Sequence, residues 1–201
     1  MRIGRTERDL PGLTVLALLL TGPRHTYEMH RMMIDTHKDF VTGLPRTMYH
    51  AVERLLRDGM LVVVDTTRDG ARPERIVYAI TDAGRAEVVR RVRLLLQTPD
   101  PDSSLLVAAL SFIGCLPPTE AADALRARHD AIAERCAAAQ AGLREARDAG
   151  VPRVLLVEGE YELARIGTER DWLAGLLADL EAKRLDWPTD WDRFLAEVPG
   201  P

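Results

Sequence analysis

The chain has 201 residues, 46% of them hydrophobic and 29% charged, which is room for one or two small domains with proper cores. No apolar run approaches the ~20 residues that cross a bilayer; the longest is Leu13–Leu20, and no signal-peptide core follows Met-Arg-Ile-Gly-Arg, so a cytoplasmic protein with no membrane partner is expected. The net charge of −4 hides an asymmetry: residues 1–97 hold 16 Lys and Arg against 12 Asp and Glu (+4), and residues 98–201 hold 11 against 19 (−8). Binding to nucleic acid needs local positive surface rather than a positive total.

In chain order, Pro11-Gly12 opens a helix over about 11–21, stopped by Thr21-Gly22-Pro23. A second helix covers 25–37, with Tyr27, Met29, Met32 and Met33 available for the core. Pro45 suits the first turn of a third helix, about 45–57, in which Met48, Val52, Leu55 and Leu56 recur at helical spacing. The period then changes. "MLVVVDTT" (60–67) and "RIVYAIT" (75–81) read as strands, joined by "RDGARPE" (68–74) as a long basic turn. Thr81 caps a helix that runs to about Gln97, with Asp82 in its first turn. "TPDPD" (98–102) is a linker, dividing residues 1–97 from 98–201. A short helix at 103–115 precedes two long ones, about 118–149 and 153–184, which form an antiparallel helical hairpin. Their apolar faces exceed what two helices alone can bury, which points to a second copy of the chain.

The expected fold is mainly α with a small β-hairpin wing: an N-terminal winged helix-turn-helix followed by the helical hairpin. Such a third helix fits a major groove, with its polar positions Arg46, Thr47, Tyr49, His50 and Arg54 turned outward. The hairpin tip carries Arg68, Arg72 and Arg75, suited to a narrow minor groove, and Pro73 stiffens it.

Three segments in order resemble the PadR family: "GPRHTYEMHRMM", "LPRTMYHAVERLLRDGML" and "GARPERIVYAITDAG". The C-terminal stretches "LLVAALSFIGCLPPTEAADALRAR" and "VPRVLLVEGEYELARIGTERDWLAGLLADL" resemble, more loosely, the long last segment of the larger members. The resemblance implies a DNA-binding transcriptional regulator, a repressor acting as a homodimer on a pseudo-palindromic operator. In that family the last helices dimerise and line any effector cavity. By position, Tyr49 would be a DNA-backbone contact, Thr47 the family's hydroxyl and Arg72 the wing arginine, while His25 and Tyr27 fall on the second-helix signature in a structural or a DNA-contacting role. Thr26 and Arg46 replace glycines and His50 replaces a proline, which leaves the fold intact and changes the sequence preference.

Blander readings stand beside these. Tyr49 can be a core aromatic, His50 ordinary surface, Arg54 the partner of Glu53 or Asp58, and Arg72 and Arg75 exposed residues without a role. Tyr161, Trp172 and Leu176 either flank a cavity for a small aromatic or apolar effector or anchor a packed dimer interface, the simpler reading. Glu158, Glu160 and Glu162 read as solvated charge, and Trp187 and Trp191 as pins for the tail. Cys115 and Cys136 read as small buried residues. His25 and His30 are five apart and off one helix face, so no metal is expected. With no phosphate-binding glycine loop or nucleophile elbow, no cofactor and no enzyme activity are expected. The rival class is a protein-interaction module without specific DNA binding.

Overall fold

The computed structural model describes residues 3–36, 40, 46–67, 75–185 and 187, the side chains of Thr67 and Arg75 excepted. It divides into two compact units. The first comprises the chain up to Leu95, Asp100–Pro117 and Trp187; the second comprises Leu96–Pro99 and the segment from Pro118.

In the first unit, α1 (Leu10–Leu19) is apolar on every side and buries almost all of its residues, so it forms the centre. Asp9 caps it, its carboxylate accepting the Gly12 N–H at 3.2 Å. A two-residue strand β1 (Arg24–His25) leads into α2 (Thr26–Asp35), and α3 (Arg46–Arg57) follows. Strands β2 (Leu61–Thr67) and β3 (Arg75–Ile80) form the antiparallel wing pair, and β1 adds to the free side of β3, giving the order β1-β3-β2. Sequence reasoning finds β2 and β3 but not β1, since two residues carry no period. The register slips between Val63 and Asp65, a bulge in the edge strand. These elements, followed by α4 (Asp82–Gln97), make the winged helix-turn-helix that the sequence predicts.

The stop after α3 has a specific cause. Gly59 takes φ +69°, its N–H bonds the Leu56 carbonyl at 3.1 Å, and the Met60 N–H bonds the Leu55 carbonyl at 2.9 Å. Two residues beyond Gly59, Leu61 is already buried as the first inward side chain of β2. Thr81 then ties the ends together: its hydroxyl donates to the Gly59 carbonyl at 2.9 Å and accepts the Gly84 N–H at 3.1 Å, capping α4. Gly84, the last residue of the quoted wing motif, is needed for space. A Cβ there would run into the Met60 carbonyl and sit 2.7 Å from Ile80 Cγ1 and 3.3 Å from Leu16 Cδ2.

Tyr27 departs from the sequence reading: it is 70% exposed, not core. Thr26 takes the inward place instead, buried and hydrogen-bonded to the buried Tyr78. Thr26 is thus used in packing. The expected helix at 103–115 resolves into α5 (Ser103–Ser111) and a 3-10 turn, Ile113–Cys115, and both belong to the first unit. Cys115 is half-buried there, and burial pushes its thiol up to about 12. Trp187 donates its indole N–H to the Leu116 carbonyl at 3.1 Å, as a pin for the tail should; Trp191 lies outside the described residues.

The second unit pairs α6 (Pro118–Asp148) with α7 (Val157–Glu181), joined through Gly150 at φ +80° and a 3-10 turn, Arg153–Leu155. Leu125, Ile132, Cys136 and Leu143 of α6 are buried, as are Ile166, Leu173 and Leu177 of α7. The buried Arg128 holds the pair internally: its Nε donates to Glu169 at 2.6 Å and its Nη1 to the Thr98 carbonyl at 2.8 Å. Glu160, expected as solvated charge, clips the hairpin end by accepting from Arg147 at 2.9 Å and Arg153 at 3.1 Å, and both guanidiniums hold its carboxyl below the ordinary range. Tyr161 and Trp172 are not on the buried face: they are 71% and 50% exposed, and their spacing of eleven residues puts them on one outward line of α7. Leu176 is half-buried beside that line. Among the described residues no helix is long and apolar enough to cross a membrane.

Candidate nucleic-acid interface

The third helix sorts its residues cleanly. Met48, Ala51, Val52 and Leu55 are buried, and Arg46, Tyr49, His50, Glu53 and Arg57 are exposed. On a 3.6-residue period the exposed five form one band facing away from the core. Tyr49 is 52% exposed, so it is not a core aromatic. His50 lies 3.7 Å from Glu53, both side chains well exposed. Thr47 is half-buried on the flank of the band. Arg72 and Arg68 lie outside the described residues, as does Pro73; of Arg75 only the strand backbone is described, paired with Thr67.

Arg54 corrects the sequence reading. It pairs neither with Glu53 nor with Asp58 but with the carboxylate of Asp9, 45 residues earlier. Asp9 is a junction. Besides capping α1 and holding Arg54, it offers its carbonyl to Arg91 Nη2 of α4 at 2.5 Å, and the Glu7 carbonyl accepts from the same nitrogen at 3.2 Å. Arg91 is buried, and burial lowers the affinity of its guanidinium for the proton. The sequence signal for Asp9 was present, an aspartate just before Leu-Pro-Gly, but its partners were not.

Behind the band, His25 joins α2 to the wing. The Glu28 carboxylate accepts the His25 backbone N–H at 2.9 Å, and the His25 ring Nδ1–H donates to the Ile76 carbonyl at 3.0 Å. Of the two roles open to His25, these bonds support the structural one. Tyr78 packs behind Tyr49 and Glu53; burial raises its phenol above the ordinary value, and the charges of those two neighbours add to the rise. A cleft of about 630 Å³ behind the helix is lined by Arg5, Arg8, Arg54 and Arg91 with Asp9, Asp58 and Glu87. Two of those carboxylates already have partners, Asp9 with Arg54 and Glu87 with Arg90, so the cleft is largely charge-matched from within. A smaller cleft of about 210 Å³ in the second unit is lined by Gln140, Leu143, Arg144, Arg147 and Leu163. Neither lining includes Tyr161, Trp172 or Leu176. The described residues contain no cluster of three or more His, Cys, Asp or Glu able to hold a metal ion.

No curated protein matches the chain. Among solved structures, the chain is similar to Bacillus subtilis PadR in complex with operator DNA, at 20% identity over 84% of this chain and 98% of that one, with a TM-score of 0.39. It is similar to the PadR-like transcriptional regulator BC1756 from Bacillus cereus, at 20% identity over 88% and 99%, TM-score 0.37. It is also similar to Bacillus subtilis PadR in complex with p-coumaric acid, at 17% identity over 86% and 99%, TM-score 0.37. Residues 15–90, from within α1 to within α4, match the family model described as transcriptional regulator PadR-like family. Through that segment the chain is similar to the PadR-like family of transcriptional regulators.

Proposed function

We propose that the chain is a sequence-specific repressor that acts in the cytoplasm as a homodimer on a pseudo-palindromic operator. In this reading residues 1–97 read DNA and residues 98–201 hold two copies together. The carrying observation is the exposed band of α3, where Arg46, Tyr49, His50 and Arg57 stand clear of the core on a winged domain. Arg46 and Arg57 supply phosphate or guanine contacts, and the Tyr49 hydroxyl and Thr47 supply phosphate contacts. Arg72 and Arg75 at the wing complete the footprint. Two such domains related by a two-fold axis would read half-sites about one helical turn apart, ~10 bp, or a multiple of it.

The outward line of α7 and the turn before it support the dimer: Val157, Tyr161 and Trp172 on the helix, with Val154 and Leu155 in the 3-10 turn, are all at least half-exposed apolar side chains that a second copy would cover. A small aromatic or apolar effector held between the copies would release DNA only by binding the released state more tightly than the bound one. The reading assigns the chain no reaction of its own.

The test is fluorescence anisotropy with DNA from upstream of the chain's own gene, against scrambled DNA, at two salt concentrations. Wild type should bind specifically and weaken steeply with salt. Tyr49→Ala and Arg72→Ala should each lose affinity, and Arg72→Ala should reduce the salt slope by about 1. Absence of binding to any DNA at low salt, or a monomer in sedimentation at working concentration, would overturn the reading in favour of an interaction module.

A further inference from the structure

The exposed band of α3 contains one carboxylate, and a carboxylate is the wrong charge for a surface that approaches phosphates. Glu53 is 72% exposed at its side chain. It stands seven residues after Arg46 and four before Arg57, about 10 Å and 6 Å along the helix axis, so it sits in the middle of the band. Its ion-pair partner in the free protein is the exposed His50, whose Nδ1 at 3.7 Å is beyond hydrogen-bond reach and charged only when protonated. Among the described residues no group donates a hydrogen bond to it. Nothing in the packing of α3 calls for it, since the buried face is made by other residues.

Its chemistry narrows what it can meet. In the major groove the edges of guanine offer N7 and O6 and that of thymine offers O4, all acceptors that repel a carboxylate; only cytosine N4 and adenine N6 donate. Adenine sets its N7 lone pair beside the N6 donor, so the second carboxylate oxygen meets repulsion there. Cytosine sets a C–H beside N4 and meets the carboxylate with no opposing acceptor. Arg46 and Arg57 on either side supply the attraction to phosphates that keeps the helix in the groove. Resting on the DNA-binding reading above, we infer that Glu53 is a specificity-determining residue that accepts a hydrogen bond from the N4 amino group of a cytosine in each half-site and rejects guanine and thymine at that position. Binding without the cytosine leaves a carboxylate desolvated against acceptors, so Glu53 lowers affinity for all other DNA while keeping it for the operator.

The experiment is selection from a randomised duplex library with the full-length chain as wild type, Glu53→Gln and Glu53→Ala, followed by anisotropy on the selected duplex and its single-base variants. Wild type should yield a motif with one cytosine per half-site, and changing that base should weaken binding on the order of ten- to a hundredfold. Glu53→Ala should lose selectivity in that one column, keep the others, and bind scrambled duplex more tightly than wild type. Glu53→Gln should move the column toward adenine, whose N6 and N7 match an amide. A wild-type motif whose every column survives unchanged in both variants overturns the role of Glu53 and leaves the regulator reading standing. A wild-type selection that enriches no motif overturns the regulator reading itself, and the cytosine contact with it.

Discussion

Replacing Asp9 tests the junction that holds α3 against α1 and α4. The carboxylate does two separable things: it accepts the Gly12 N–H as the cap of α1, and it pairs with Arg54. Loss of an aspartate cap costs about 1 kcal/mol, and asparagine caps nearly as well as aspartate. The ion pair has side-chain exposures of 41% for Arg54 and 23% for Asp9, so solvent screening limits it to about 0.5–1 kcal/mol. The bond from Arg91 goes to the Asp9 backbone carbonyl and survives any side-chain change. Asp9→Asn, which keeps the cap and removes the charge, should therefore cost about 0.5–1 kcal/mol, and Asp9→Ala about 1.5–2 kcal/mol. Arg54→Met should match Asp9→Asn, and the double variant Asp9→Asn/Arg54→Met should cost no more than either alone. Urea unfolding at pH 7, followed by far-UV circular dichroism, reads all four differences. Equal losses for Asn and Ala would refute the capping role, and additive losses in the double variant would refute the pair.

Two further outcomes follow from single contacts. Gly84→Ala places a methyl against the Met60 carbonyl, a backbone atom that cannot step aside without moving the end of α3; destabilisation of about 1–3 kcal/mol is expected in the same urea experiment, and a neutral result would mean that α4 shifts freely. With its thiol pushed up to about 12 by burial, from an ordinary value of 9.0, Cys115 should be alkylated by iodoacetamide at pH 8 on the order of a thousandfold more slowly in the folded chain than in urea, and its contribution to stability should be flat below pH 9 and fall above it as the unfolded chain sheds the proton first. Fast labelling of Cys115 in the native chain, read by mass spectrometry, would contradict that burial.

Much of the fold was legible because its punctuation is local. Pro11-Gly12, Thr21-Gly22-Pro23 and Asp58-Gly59 mark helix ends by chemistry that needs no partner, and Thr81 announces the cap that it makes with Gly84. The rest depended on contacts between distant residues. Arg54 finds Asp9, which no spacing rule connects with it. Tyr27 and Thr26 are neighbours, and the one that turns inward, Thr26, bonds to Tyr78 on β3, a partner some fifty residues away that no local pattern announces. Helical periodicity placed Tyr161 and Trp172 on one line, but α7 has apolar residues on more than one side, so the line alone did not say whether it faced in or out. Glu53 stands outward on the same helical period, and what it opposes is set by the partner surface rather than by the chain.

The closure of α3 at Gly59, with Leu61 already inward two residues later, makes the third helix an exchangeable cassette with a fixed adaptor. Residues on the exposed band can be rewritten in bulk, since the buried face of α3 is made by Met48, Ala51, Val52 and Leu55. The connector Asp58–Met60 cannot change length, because one added residue would turn the buried Leu61 at the start of β2 to solvent. A library that diversifies Arg46, Tyr49, His50, Glu53 and Arg57 while keeping Asp58-Gly59-Met60 intact would therefore explore new operators on an unchanged scaffold.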